Sequence, residues 1–200
     1  MIVRLFTITF ILMMLWGCDD PVYTPKPRTY PRVVFPEKGY KTFDKDYCCF
    51  TFEAPVYTTI EKDTSFFKEL PPDPCWFDIY YPDFDCRVYC SYLPVDKSVG
   101  FDKFKSDAFN MAEFHNKKAN YIDEKPIQKA NGVKGMFFEI DGPVASPLQF
   151  YLTDDAERHF FRGSVYFNTR ANQDSLAPIT KFVKEDVLKL IDSFSWNDAK

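Results

Sequence analysis

The chain has only two histidines in its 200 residues, no Cys-x-x-Cys pair and no cluster of Lys and Arg. Each shortage removes a class of function. Two distant histidines without paired cysteines lack the spacing of a zinc site, and the acidic runs lack the rhythm of a calcium loop. A net charge of −4 without a basic patch argues against nucleic acid as a partner. No glycine-rich phosphate loop opens a helix, which disfavours a doubly wound nucleotide-binding sheet. No internal repeat is visible, and no cofactor is expected. The apolar run from Leu5 to Trp16 is closed by Asp19-Asp20, well short of the roughly 20 apolar residues that span a bilayer.

That run fits a cleaved signal instead: Arg4, the apolar core, then Gly17-Cys18. Leu15-Trp16-Gly17-Cys18 resembles a lipobox, although Trp16 fills a slot that usually holds a smaller residue. The expected organisation is a signal peptide over 1–17, a lipidated Cys18 opening a tether over 18–32, and one globular domain over 33–200. Four prolines between Asp19 and Arg32 favour an extended, semi-rigid spacer. Several acyl chains on Cys18 would hold the domain at a membrane, where a single chain binds only marginally. Export leaves Cys48, Cys49, Cys75, Cys86 and Cys90 in an oxidising compartment. Five is odd, so at least one thiol stays unpaired or bonds another chain.

Runs of β-branched and aromatic residues bounded by turn signals predict strands at Tyr30–Phe35, Cys49–Glu53, Trp76–Tyr81 and Arg87–Leu93. The segment Tyr81–Asp85 predicts a turn that makes the last two a hairpin. In a regular hairpin Cys75 and Cys90 stand at matching heights, so a link between them competes with one to Cys48 or Cys49. From Asp102 to Asn120 the residues Phe104, Ala108, Met111, Ala112, His115 and Ala119 recur at helical spacing, which makes His115 a core histidine. Strands at Gly135–Asp141, Leu148–Thr153 and Phe160–Asn168 read as a meander, and a final amphipathic helix runs from about Ala177 to Phe194. The sum is an α+β domain: a mainly antiparallel sheet with helices packed on one face or both.

The residues most able to carry chemistry are Asp154, His159, Arg162, Asp174 and Ser175. A serine triad is disfavoured because Gly163-Ser164-Val165 lies inside an apparent strand, without a nucleophile elbow. Recognition is the better functional reading, with His159 and Arg162 pairing with a partner's carboxylates. The plainer reading is structural: Asp154 starts a turn, Arg162 bonds Asp154 or Asp174, and Asp174 and Ser175 cap the last helix. Phe66, Phe67, Trp76 and Tyr81 are candidates for an aromatic docking patch.

Beyond these separate readings, the chain resembles the gliding motility lipoprotein family GldD of the Bacteroidetes. The likeness begins at the lipobox and runs through Cys49-Phe50-Thr51-Phe52-Glu53-Ala54-Pro55-Val56-Tyr57, Cys75-Trp76-Phe77-Asp78-Ile79 and Ser91-Tyr92. It continues through the helix ending at His115–Ala119, then Ala145–Asp154, His159–Phe167, Asn172–Pro178, Asp186 and Trp196. The resemblance implies a lipid-anchored, periplasm-facing envelope component needed for gliding and for type IX secretion, with envelope proteins of that machinery as partners. It implies no reaction, and it leaves inner against outer membrane open. It also implies a disulfide between Cys49 and Cys75. The C-terminal half is similar to the Mog1/PsbP-type α/β/α sandwich, a fold used largely for docking. The alternative is a small-ligand-binding periplasmic module, which requires a pocket near His159 and Arg162.

Overall fold

The computed structural model describes residues 32–62, 71–96, 100–169 and 173–197, all within one compact unit, 31–200. Cys18, the signal segment, nearly all of the tether and the Phe66-Phe67 pair lie outside the described residues. Ten strands and two α-helices occur among those residues: β1 Tyr40–Asp44, β2 Phe50–Pro55, β3 Thr59–Lys62, β4 Phe77–Tyr81, β5 Cys86–Pro94, α1 Phe101–Glu113, β6 Tyr121–Gln128, β7 Lys134–Asp141, β8 Leu148–Thr153, β9 His159–Phe167, α2 Gln173–Ser193 and β10 Ser195–Trp196.

Seven strands form an antiparallel sheet in the order β3-β4-β5-β9-β8-β7-β6, and a smaller sheet has the order β1-β2-β10. The domain is therefore α+β with an antiparallel sheet and packed helices, and both faces of the large sheet carry a helix. The hairpin β4–β5 and the meander β7–β8–β9 form where the sequence predicts them. Residues 32–35 form no strand, contrary to the expected Tyr30–Phe35. Phe35 instead stacks on Phe182 of α2 at 4.8 Å between ring centres, and Pro36 directly after it has no N–H to give a ladder.

Side chains alternate across a sheet, so each strand divides its residues between two faces. On one face Phe77, Val88, Phe150, Leu152, Phe161 and Val165 meet the small sheet and α2. Phe50 of β2 sits at the centre of this core, fully buried, with Phe161 at 4.9 Å and Phe194 at 5.4 Å. On the other face Phe138, Ile140, Tyr151 and Phe160 meet Ala108 and Ala112 of α1. Small residues on that helix let it approach the aromatic floor, where Phe109 packs edge-on to Phe138 at 5.1 Å. Gly163 has a direct packing role, because a Cβ there would stand 2.3 Å from the ring of Phe150 on the neighbouring strand.

The same alternation decides the disulfide. Cys48 lies two residues before Phe50 and, like it, is fully buried, so it reaches Cys75 with a Cα separation of 5.7 Å. Cys49 is turned the other way. The pairing is thus Cys48–Cys75, which corrects the Cys49–Cys75 link that the family resemblance implies. Cys86 and Cys90 are buried thiols, and burial pushes both well above the usual thiol range.

A buried carboxylate ties the N-terminal segment to α2. The Asp186 side chain accepts hydrogen bonds from Lys38 Nζ at 2.7 Å, Tyr40 Oη at 2.9 Å and Tyr57 Oη at 2.7 Å. Lys38 also donates to the Phe182 carbonyl at 2.8 Å and lies over the Phe182 ring. Burial and the Asp186 contact raise the phenols of Tyr40 and Tyr57 far above their ordinary value. Breaking a buried pair on one side leaves the other charge uncompensated. Asp186→Ala is expected to lower stability by about 3 kcal/mol and Tyr40→Phe by about 1 kcal/mol, read from urea denaturation; a loss for Asp186→Ala no larger than that for Tyr40→Phe would contradict this role.

Candidate functional site

His159 and Arg162 are three residues apart on one strand, and an odd spacing puts them on opposite faces. The expected cluster is divided accordingly. Asp154 and His159 belong to the end nearest the small sheet. Arg162 lies on the α1 side, and Ser175 is in the first turn of α2.

Asp154 is buried and organises the turn before β9. Its carboxylate accepts the Arg158 backbone N–H at 2.6 Å, the His159 backbone N–H at 3.2 Å and Arg158 Nε at 2.8 Å. Burial alone would raise its pKa, but these donors hold it below the ordinary carboxylate value. The turn-forming reading of Asp154 therefore describes its surroundings, with Arg158 rather than Arg162 as its side-chain partner. The imidazole of His159 faces elsewhere: Nδ1 is 2.8 Å from Tyr92 Oη and 3.7 Å from Cys49 Sγ, and the ring stacks on Trp196 at 5.0 Å. A triad of Asp154, His159 and Ser164 is not assembled, since Ser164 lies on the opposite face with Arg162. Ser175 lies in the first turn of α2 as described from Gln173; residues 170–172, which precede the helix, and the Asp174 side chain are outside the described residues.

The Arg162 face carries a concavity. α1 covers the β6–β9 half of this face, and beside its C-terminal end a groove of about 680 Å³ opens over β4, β5, β9 and β8. Sheet register sets the floor. Ser91, Arg162 and Tyr151 form one cross-strand row, and Asp78, Tyr89, Ser164 and Gln149 form the next. The Arg162 guanidinium rests against Met111 Sδ of α1 and makes no ion pair among the described residues. Burial lowers its pKa, partly offset by Tyr166 and Asp107. Asp78, the carboxylate of the wall, bonds Arg87 Nη1 at 3.3 Å. Met111, Phe114, Tyr89 and Tyr166 line the groove and are among the most exposed large apolar side chains of the domain.

Two expectations change here. His115 is half-buried and lines this groove, because the helix tightens into a 3-10 turn over Phe114–Lys117 and lifts it off the core; burial still lowers its pKa. Trp76 and Tyr81 are buried and form no exposed docking patch. The Trp76 indole donates to the Tyr92 carbonyl at 2.7 Å. Sequence reasoning missed Tyr89, Gln149 and Tyr166 as a group. The available signal was strand parity, since Arg162, Ser164 and Tyr166 alternate with apolar residues on β9. A second hollow of about 350 Å³ lies between α2 and β7–β8. Its Glu139 is held by Lys184 and by Lys125 at 2.9 Å, and their attraction outweighs burial to lower its pKa.

With this geometry in place, the comparison with known proteins is informative: a family model described as gliding motility lipoprotein GldD matches residues 20–196. The chain belongs to that family. Membership makes it a gliding motility lipoprotein, lipid-anchored at the cell envelope. No helix among the described residues is long and apolar enough to cross a membrane. No curated protein matches the sequence. Among solved structures, the solution structure of cyanobacterial PsbP (CyanoP) from Synechocystis sp. PCC 6803 is similar at 8% identity. That match has a TM-score of 0.48 and covers 91% of this chain and 99% of that one.

The Asp154 turn has a definite acid signature. Its folded pKa lies below the unfolded one, so its contribution is complete above the ordinary carboxylate range and is lost as pH falls through the folded value. Asp154→Asn is expected to cost about 2 kcal/mol at neutral pH, with the gap to the parent protein closing toward pH 3 in denaturant titrations. A gap that stayed constant over that range would show that the charge of Asp154 is not what holds the turn.

Proposed function

We propose that this lipoprotein is a non-enzymatic docking component of the gliding and type IX secretion apparatus, anchored through Cys18 with its domain facing the periplasm. The family match over residues 20–196 is the observation that carries this reading. The lipobox-like Leu15-Trp16-Gly17-Cys18 and the proline-rich spacer support the anchor, since they give an acylated end followed by a short, stiff lead. The non-enzymatic part is supported by the distribution of polar side chains. His159 is engaged by Tyr92 and stacked on Trp196, Asp154 is spent on its own turn, and Ser164 lies across the sheet from both.

The second reading, a small-ligand-binding module, is favoured by one observation, the groove at Arg162. A pocket was required near both His159 and Arg162, and the groove meets that requirement at Arg162 alone.

The docking reading is tested by removing the protein from cells and by capturing the lipidated form from solubilised envelopes beside a Cys18→Ala control. Loss of spreading and of secretion, recovery of motor or secretion components, and release of the control from the membrane are expected. Normal spreading and secretion without the protein would overturn the reading.

A further inference from the structure

Arg162 stands on the floor of the α1-side groove and makes no ion pair among the described residues, with Asp107 acting on its charge only at a distance. The groove's own acid, Asp78, is engaged by Arg87, which also pairs with Glu61. Beside Arg162, Gln149 and Ser164 face each other across β8 and β9 and are only 4% and 8% exposed. Neither side chain makes a hydrogen bond among the described residues. Nor does either belong to the sealed, unsatisfied polar atoms, which are Ser146 Oγ and Trp196 Nε1. Their polar atoms therefore reach the groove. Polar groups that open into a cavity without a protein partner take one from water or from a ligand bound there. A guanidinium, an amide and a hydroxyl that converge on one cavity are the donors an anionic group would use.

Charge selects the kind of anion. The groove offers one permanent cation, since burial disfavours the charged form of His115, and a single positive charge matches a monoanion better than a phosphate carrying close to two negative charges. A planar guanidinium presents two parallel N–H groups at the spacing of carboxylate oxygens. The walls select what the carboxylate is attached to. Tyr89 and Tyr166 stack edge to face at 5.5 Å, and Phe114 is 72% exposed, so apolar surface borders the polar floor. A volume of about 680 Å³ lies within the range of about 300–1,000 Å³ typical of small-molecule sites.

We propose that this groove binds an organic carboxylate, with the carboxylate held by Arg162, Gln149 and Ser164 and an apolar or aromatic body against Tyr89, Phe114 and Tyr166. The same chemistry is offered by a free small acid and by the C-terminal residue of a peptide. The site does not depend on the docking reading and stands or falls separately.

The test is ligand-observed NMR on the full lipidated protein in detergent micelles, with N-acetyl-phenylalanine, its amide, the tripeptide Gly-Gly-Phe, the amidated tripeptide and inorganic phosphate as probes. At least one free carboxylate is expected to bind ten-fold or more tightly than its amide. Binding by both acids points to a small-acid site, and binding by the tripeptide alone points to a chain end; either supports the site. Arg162→Gln is expected to abolish binding, Arg162→Lys to weaken it ten-fold or more, and Ser164→Ala to weaken it several-fold, with thermal melts checking that each variant folds. Equal binding of acid and amide, no binding of any probe, or phosphate binding as tightly as the acids would each overturn the proposal. If Arg162→Gln does not fold, undiminished binding by the folded Ser164→Ala and Arg162→Lys proteins would overturn it as well.

Discussion

Everything in this domain follows from the two-sidedness of its seven-stranded sheet. Alternation commits half of every strand to each face, and the two faces receive unequal cover. One face has the small sheet and the 21-residue α2. The other has the 13-residue α1. Seven strands at roughly 4.8 Å spacing span about 29 Å, while a helix is only about 10–12 Å across. A single helix covers part of such a face, and the uncovered remainder becomes the groove. The polar residues on β8 and β9, which would be out of place beneath a helix, are found where the helix ends.

The two cores differ in kind for the same reason. The doubly covered face is a nearly continuous aromatic cluster around Phe50, sealed by the disulfide at Cys48 and by the Asp186 network. That network brings Lys38, Tyr40 and Tyr57 onto α2 and so closes the small sheet over the core. The α1 face holds a smaller cluster, whose edge merges into Tyr89, Tyr166 and Phe114 at the groove. A rigid aromatic body on one side therefore positions a more open surface on the other, the arrangement expected where recognition residues sit on strands.

Much of this was legible in the sequence. The central strands β2, β4, β5, β7, β8 and β9 carry dense apolar and aromatic runs because they are buried, and the sequence predicts all of them. The strands it misses are β1, β3, β6 and β10, each at an edge of its sheet. Edge strands bury less and tolerate charge and proline; β6, with Asp123, Glu124, Lys125 and Pro126, has no apolar run to notice. The site was half legible. Residue type singles out Asp154, His159 and Arg162, yet proximity in sequence is not proximity in space. Counting parity along β9 separates His159 from Arg162, and the same count before β2 separates Cys48 from Cys49. What the sequence could not supply was the end of α1, where a 3-10 turn brings His115 and Phe114 to the groove.

The unequal cover of the two faces is the central claim, and hydroxyl-radical footprinting of the free lipidated protein tests it most directly. Tyr89, Met111, Phe114 and Tyr166 should be oxidised readily in the native state, while Tyr92, Phe138, Tyr151 and Phe160 resist until the protein unfolds. Comparable native oxidation of Tyr151 and Phe160, or protection of Tyr89 and Tyr166 in the isolated protein, would contradict it.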